Sequence, residues 1–269
     1  MTIRPLVLGA GGQIGGMLRR LWQAGLLDLG AEPIWHARVP IKHVPDHRML
    51  VWDMLKAPAP DIEVSGVICL SGGPNADDNA ALAAAALAVA QGKPLLFAST
   101  QAVYGPQAGL MSEQSICKPT SAYGAAKLAA ETVLRGHANA IALRIGNVVG
   151  ADALSRAIVA GDVVLDQFAD GSAPKRMMIG VQTLGQTLAA LLKMGNLGEP
   201  VINLAQPGLV GMDDMLIAAG TSWRWTPAPD TAIPALALDP AKLASLHLLP
   251  DAVPARLIAE ARLAGWQDR

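Results

Sequence analysis

Seven residues near the start of the chain, Gly9 to Gly15 ("GAGGQIG"), constrain its fold more than any other stretch. Before them, residues 3–9 ("IRPLVLG") read as a β-strand; after them, residues 12–25 ("GQIGGMLRRLWQAG") read as a helix. Gly9, Gly12 and Gly15 fall in a Gly-x-x-Gly-x-x-Gly spacing. Glycine permits a tight turn and lets another group come close to the backbone, and the helix N-terminus adds oriented N–H groups and a positive dipole end. In the order strand, glycine loop, helix, such a loop cradles the diphosphate of a dinucleotide. Gln13 and Ile14, which open the helix, are therefore candidate cofactor contacts with the three glycines.

Beyond this helix the chain repeats the alternation of strand and helix that a parallel, doubly wound sheet requires. Residues 33–37, 49–53, 65–71, 94–99, 140–146 and 200–205 read as further strands. The run 65–71 ("SGVICLS") is apolar nearly throughout, as a strand covered on both faces should be. Its end, Leu70 and Ser71, joins the candidate cofactor contacts. Residues 79–91 form an alanine-rich helix that Asp77 or Asp78 can cap and Gly92 can close. Residues 155–161 and 181–195 read as helices, and the last sixty or so residues are rich in proline. The expectation is an α/β, Rossmann-like doubly wound parallel sheet with a small C-terminal annex that binds substrate. Residues 1–150, completed by about 176–205, form the dinucleotide-binding core; 151–175 and 206–269 form a loop-rich annex.

Composition narrows the function. Net charge is −1 with no long run of either sign, so neither nucleic acid nor an anionic membrane is expected as a partner. The longest apolar run, residues 80–90, is too short to span a bilayer, and a strand-like segment directly after Met1 leaves no cleavable leader to expect. Two unclustered cysteines, Cys69 and Cys117, fit reduced thiols and a cytoplasmic location. No metal site is expected, because Pro45 breaks the helix that would align His43 with His47.

The chain has two tyrosines, and one of them, Tyr123, stands four residues before Lys127 in "TSAYGAAKLAAE". At i and i+4 on a helix the phenol and the ammonium share a face, and a nearby cation lowers a phenol's pKa towards the range of a useful proton acceptor. Three further stretches stand in order around this pair: "FASTQAVYG" (97–105), "PTSAYGAAKLAAE" (119–131) and "LRIGNVVG" (143–150). With the glycine loop, and with Asn79 in "DDNAALAA", they resemble the extended short-chain dehydrogenases/reductases, the NAD-dependent epimerase/dehydratase family. The resemblance spans most of the first 205 residues. It implies Thr100 as the catalytic hydroxyl, Tyr123 as general acid or base, and Lys127 on the cofactor ribose. It also implies Asn147 and Arg176 as substrate contacts and Asp53 near the adenine. Tyr104 would either line the site or pack.

Several residues depart from the family pattern. Gln101 and Ala102 replace the Asp-Glu pair of dehydratases, so elimination of water lacks its acid and base. Met177 follows Arg176 where an acid is usual, and Thr183 stands in place of an aspartate. The leading expectation is an NAD(P)-dependent oxidoreductase or epimerase acting on a sugar or nucleotide-sugar. The alternatives are a dehydrogenase of a smaller aldose, uronate or aldehyde, and a dinucleotide-binding redox sensor without activity. Near the end of the second strand stand His36 and Arg38, with no carboxylate until Asp46, which favours NADP over NAD because a guanidinium suits a 2′-phosphate. A homodimer is expected, formed by the 79–91 helix and the Tyr123 helix of each chain.

Overall fold

The computed structural model describes residues 4–30, 32–107, 109–196 and 198–266. In chain order the elements are β1 Pro5–Leu8, α1 Gln13–Gln23, β2 Ile34–Ala37, β3 Met49–Val51, β4 Gly66–Cys69, α2 Ala76–Ala90 and β5 Leu95–Thr100. Next come β6 Leu110–Met111, α3 Ala122–Leu134, β7 Ala140–Ile145, β8 Asn147–Val148, α4 Ala153–Ala160 and β9 Val164–Gln167. After these stand β10 Lys175–Ile179, α5 Val181–Met194, β11 Val201–Leu204, β12 Leu209–Gly211 and α6 Met212–Ala219. The chain finishes with β13 Arg224–Pro227, β14 Ala235–Leu238, α7 Ala241–Leu246 and α8 Pro254–Leu263.

Seven strands form one parallel sheet in the order β11-β7-β5-β4-β1-β2-β3. From β1 the chain first steps outwards through β2 and β3, then returns to lay β4 on the other side of β1 and continues to β11. The order therefore reverses between β1 and β4. In an open α/β sheet that reversal leaves a crevice at the carboxyl ends of the strands, which is where ligands bind. The segments that border it are the glycine loop after β1 and Leu70-Ser71 after β4.

Apart from the edge strand β3, the strands of this sheet are buried almost throughout, so helices must cover both faces. Met17, Leu18 and Leu21 of α1 pack with Leu184, Leu188 and Leu191 of α5 on one side. Leu82, Ala86 and Val89 of α2 pack with Ala130 and Leu134 of α3 on the other. The cap of α2 is Asn75, whose side chain accepts from the Asp78 N–H, rather than either aspartate expected for it. Asp77 and Asp78 stand in the first turn, where their charge favours the helix dipole. Gln91, in a left-handed conformation, ends the helix just ahead of Gly92.

The annex is more regular than its proline content implies. A second sheet runs β12-β10-β14-β6, with β8 paired to β10, and β13 pairs with β9 in a small two-stranded sheet. Glu260 of α8 ties the annex to the core: it accepts hydrogen bonds from the backbone N–H and hydroxyl of Thr183 in the first turn of α5. The aspartate missing at position 183 is thus replaced by a carboxylate from another helix. Its side chain also fills the space in which a Cβ at Gly180 would stand.

Candidate active site

Gly9 adopts φ +84°, a left-handed conformation, and turns the chain sharply out of β1. The α1 helix starts so close behind that a Cβ on Gly15 would lie 2.5 Å from the Gly9 carbonyl and 2.6 Å from Ala10 Cα. Only glycine fits there. His36, at the core of β2, fixes the loop from below: its Nδ1 accepts from the Gly9 N–H while its Nε2 donates to the Trp52 carbonyl. Burial lowers the pKa of His36, in keeping with the neutral ring this pattern needs. Gln13 donates to the Gly150 carbonyl, which links the loop to the strand region beyond β7.

A groove of about 750 Å³ runs in front of the loop, lined by Gly9, Gly12, Arg38, Asp53, Leu70 and Ser71 among others. The cradle therefore fits a dinucleotide, and Ser71 on its wall accepts from the Lys127 ammonium of α3. Glu32, the one carboxylate just ahead of β2, is paired with Arg48 instead. Ala37 occupies the last position of β2, where it is buried.

Thr100 ends β5 and its hydroxyl accepts from the Ala102 N–H, which starts the tight turn at residues 101–103. The first turn of α3 packs directly on that turn, since a Cβ on Gly124 would come within 2.5 Å of the Ala102 carbonyl. Ser121 caps α3 by accepting from the Gly124 N–H. These two contacts bring Tyr123 to Thr100. Burial raises the Tyr123 pKa, and hydrogen bonding with Thr100 offsets part of that rise. The residue as a whole is 54% exposed.

The depressed phenol expected from the neighbouring lysine is not what this geometry gives. The Lys127 ammonium points away to the Ser71 carbonyl at 3.1 Å and over the Phe97 ring at 5.0 Å. It is 4% exposed, and burial lowers its pKa. Beside it the buried carbonyl oxygen of Asn79 has no hydrogen-bond partner, while the Asn79 amide holds the Gly73 and Asn75 carbonyls. A buried ammonium with one hydrogen bond and an orphaned acceptor nearby suit the hydroxyls of a ribose.

Asn147, in β8, accepts from Gln101 Nε2 at 2.6 Å. Gln101 thus braces a candidate substrate contact where dehydratases carry an acid. Arg176, on β10, donates to the Lys175 and Ile233 carbonyls, and burial lowers its pKa. Tyr104 is fully buried and donates to Asn203 at 2.6 Å, so it braces the fold and does not line the site.

Sequence reasoning passed over a buried cluster directly behind these groups. Glu131 of α3 pairs with Arg144 of β7 at 2.8 Å and accepts from the Ser99 hydroxyl, and Arg144 also donates to Tyr104. Its signal was present: an arginine in the otherwise apolar strand "AIALRI", and a glutamate one helical turn past Lys127.

Residues 74–169 match the model of the NAD dependent epimerase/dehydratase family. Over that segment the chain is similar to this family. The matched segment contains Asn79, Thr100, Tyr123, Lys127 and Asn147, while the glycine loop, Arg38 and Arg176 lie outside it. No curated protein matches the sequence significantly. Solved structures extend the likeness to the full fold. DesIV, a dTDP-glucose 4,6-dehydratase from Streptomyces venezuelae with NAD bound, superposes with TM-score 0.74 at 19% identity over 99% of this chain and 97% of its own. The UDP-Glc/GlcNAc 4-epimerase of Campylobacter jejuni gives 0.73 at 17% identity, over 98% and 99% of the two chains. MoeE5 in complex with UDP-glucuronic acid and NAD gives 0.72 at 21% identity, over 97% and 99%. These likenesses, all at 21% identity or below, show a shared fold.

Proposed function

We propose that the protein is an NAD(P)-dependent oxidoreductase or epimerase acting on a hydroxyl or keto group of a sugar or nucleotide-sugar. The observation that carries this reading is the hydrogen bonding of Tyr123 with Thr100, together with a buried Lys127 ammonium that donates to Ser71 on the wall of the groove. A bound nicotinamide would supply hydride chemistry at the sugar carbon. Tyr123 takes or gives the proton of the attached oxygen, Thr100 hydrogen-bonds that oxygen, and Lys127 holds the ribose. The positive charge of an oxidised nicotinamide would lower the Tyr123 pKa, which burial alone raises.

Asn147 and Arg176 are the proposed substrate contacts and the annex the substrate lobe. Arg38 and the absence of a carboxylate at Ala37 favour NADP over NAD. The outward faces of α2 and α3 carry Ala81, Ala84, Ala88, Ala122 and Ala125, small enough for close helix packing in a two-fold homodimer. No helix among the described residues is long and apolar enough to cross a membrane, and the reduced cysteines agree with a cytoplasmic enzyme. A smaller substrate, such as a free aldose or uronate, is the second reading: Arg176 is already engaged by two backbone carbonyls, which weakens its claim on a diphosphate.

Assays of UDP- and dTDP-hexoses against free aldoses and uronates, each with both cofactors, separate the two readings. Tyr123→Phe should keep cofactor affinity and lose about 10²–10⁴-fold in turnover. Full turnover by the phenylalanine variant in a chemistry-limited assay would remove Tyr123 from the mechanism.

A further inference from the structure

His36 lies inside β2, 3% exposed, and takes no part in the proton and hydride chemistry proposed above. It nonetheless lines the groove in front of the glycine loop. Both ring nitrogens are engaged. Nδ1 lies 3.2 Å from the Gly9 backbone nitrogen, and Nε2 lies 2.8 Å from the Trp52 carbonyl oxygen. An amide N–H can only donate and a carbonyl can only accept, so the ring is neutral with its proton on Nε2. The Trp52 indole packs edge-on against the ring at 5.6 Å, which leaves it little freedom to turn away.

β1 ends at Leu8, and Gly9 leaves the strand at φ +84°. The Gly9 N–H goes to the His36 ring, and the next one, of Ala10, goes to the His36 carbonyl at 2.8 Å. One residue of β2 thus holds the first two amides of the loop. Gly9 also lies against the end of β4: a Cβ there would stand 2.8 Å from the Ser71 nitrogen and 3.0 Å from its Oγ. The Ser71 carbonyl in turn receives the Lys127 ammonium at 3.1 Å. A line of direct contacts therefore runs from His36 through Gly9 and Ser71 to the group proposed to hold the ribose.

Few charges face the ring. Burial disfavours the imidazolium more than Asp53, next to Trp52, favours it, so the pKa is lowered. Arg38 beyond β2 and Asp78 of α2 line the same groove, and β1 brings no charged side chain. Protonation would set a second N–H against that of Gly9, two donors with no acceptor between them. A diphosphate would attract an imidazolium, but that attraction counts only while the loop keeps its shape, and the opposed donors drive Gly9 off the ring.

We propose that His36 is a positioning residue for the cofactor: its neutral ring holds the glycine loop in binding shape, and its protonation releases the dinucleotide. The proposal rests on the reading that the loop binds a dinucleotide, and adds a proton-sensitive latch to it.

Calorimetric titration of NAD and NADP into wild type, His36→Asn and His36→Phe between about pH 4.5 and 8, with thermal unfolding at each pH, tests it. Asparagine puts an amide oxygen near the place of Nδ1 and cannot titrate, while phenylalanine keeps a ring and offers no acceptor. Wild-type affinity should be level above the ordinary histidine pKa of about 6.5 and fall about tenfold or more below it. His36→Asn should bind within about threefold of wild type at neutral pH and show no such fall. Comparison with it cancels any titration of the ligand's own phosphates. His36→Phe should bind about tenfold or more weakly at every pH. A wild-type affinity that stays flat or tightens in acid would overturn the proposal, as would a fall of equal size in His36→Asn or wild-type affinity in His36→Phe. If His36→Phe fails to fold, the asparagine comparison decides alone. Binding of neither nucleotide by the folded proteins would instead defeat the dinucleotide reading itself, and the proposal with it.

Discussion

Ser99 donates its hydroxyl proton to Glu131, joining the strand that ends in Thr100 to the helix that carries Tyr123 and Lys127. The same carboxylate accepts two prongs of the Arg144 guanidinium, and both partners are nearly inaccessible to water. Glu131 therefore sets the register between the strand that ends in Thr100 and the helix that carries Tyr123. Replacing it by Gln leaves Arg144 charged and unpaired, a loss of about 3–5 kcal/mol for a buried pair. Replacing both, Glu131→Leu with Arg144→Met, should cost less than the single change. Denaturant unfolding of the three proteins measures this, and a single variant as stable as wild type would refute it.

The two tyrosines offer a pH experiment. Burial raises the pKa of both Tyr104 and Tyr123. The cofactor-free protein should show no tyrosinate absorbance until well above the ordinary value of about 10. Since the native state holds these protons more tightly than the unfolded chain, the associated stability is complete below that value and is lost as pH rises through it. Oxidised dinucleotide should lower one titration, and Tyr123→Phe should remove that response. A phenol ionising near neutral pH without cofactor would contradict the burial argument.

Gly15→Ala tests the loop. The added methyl meets backbone, the Gly9 carbonyl and Ala10 Cα, neither of which can swing aside. Overpacking of about 1–3 kcal/mol is expected, and dinucleotide affinity should fall about tenfold or more as the loop opens. Calorimetric titration gives the answer; unchanged affinity would mean that the loop does not hold the diphosphate.

Light scattering decides the dimer. Ala84→Arg together with Ala125→Arg places a bulky charge on the outward faces of α2 and α3 and should yield monomers at micromolar concentration. A wild type already monomeric at that concentration ends the idea.

The main sheet was legible because each of its strands is a short apolar run closed by a turn residue, and because Gly9, Gly12 and Gly15 mark its first crossover. The second sheet was not. The two residues of β6 pair with β14 more than a hundred positions later, through Leu110 with Ala237, and no local periodicity announces such a contact. Helix ends were also misjudged: Asn75 won the cap of α2 because its short side chain precedes the first turn, while Asp77 and Asp78 already lie inside it. Tyr123 and Lys127 stood out as candidates by their spacing, and Thr100 by the resemblance of its segment to the family. The direction of the phenol's pKa could not, since it depends on where the lysine's flexible chain ends.

Glu260 holds the first turn of α5 from a helix that begins at Pro254, some seventy residues later. During synthesis, α5 and the β11 strand after it leave the ribosome long before the carboxylate that completes them. The crossover into the last strand of the seven-stranded sheet thus waits on α8. A truncation that looks like trimming a peripheral appendage would strike the centre of the molecule.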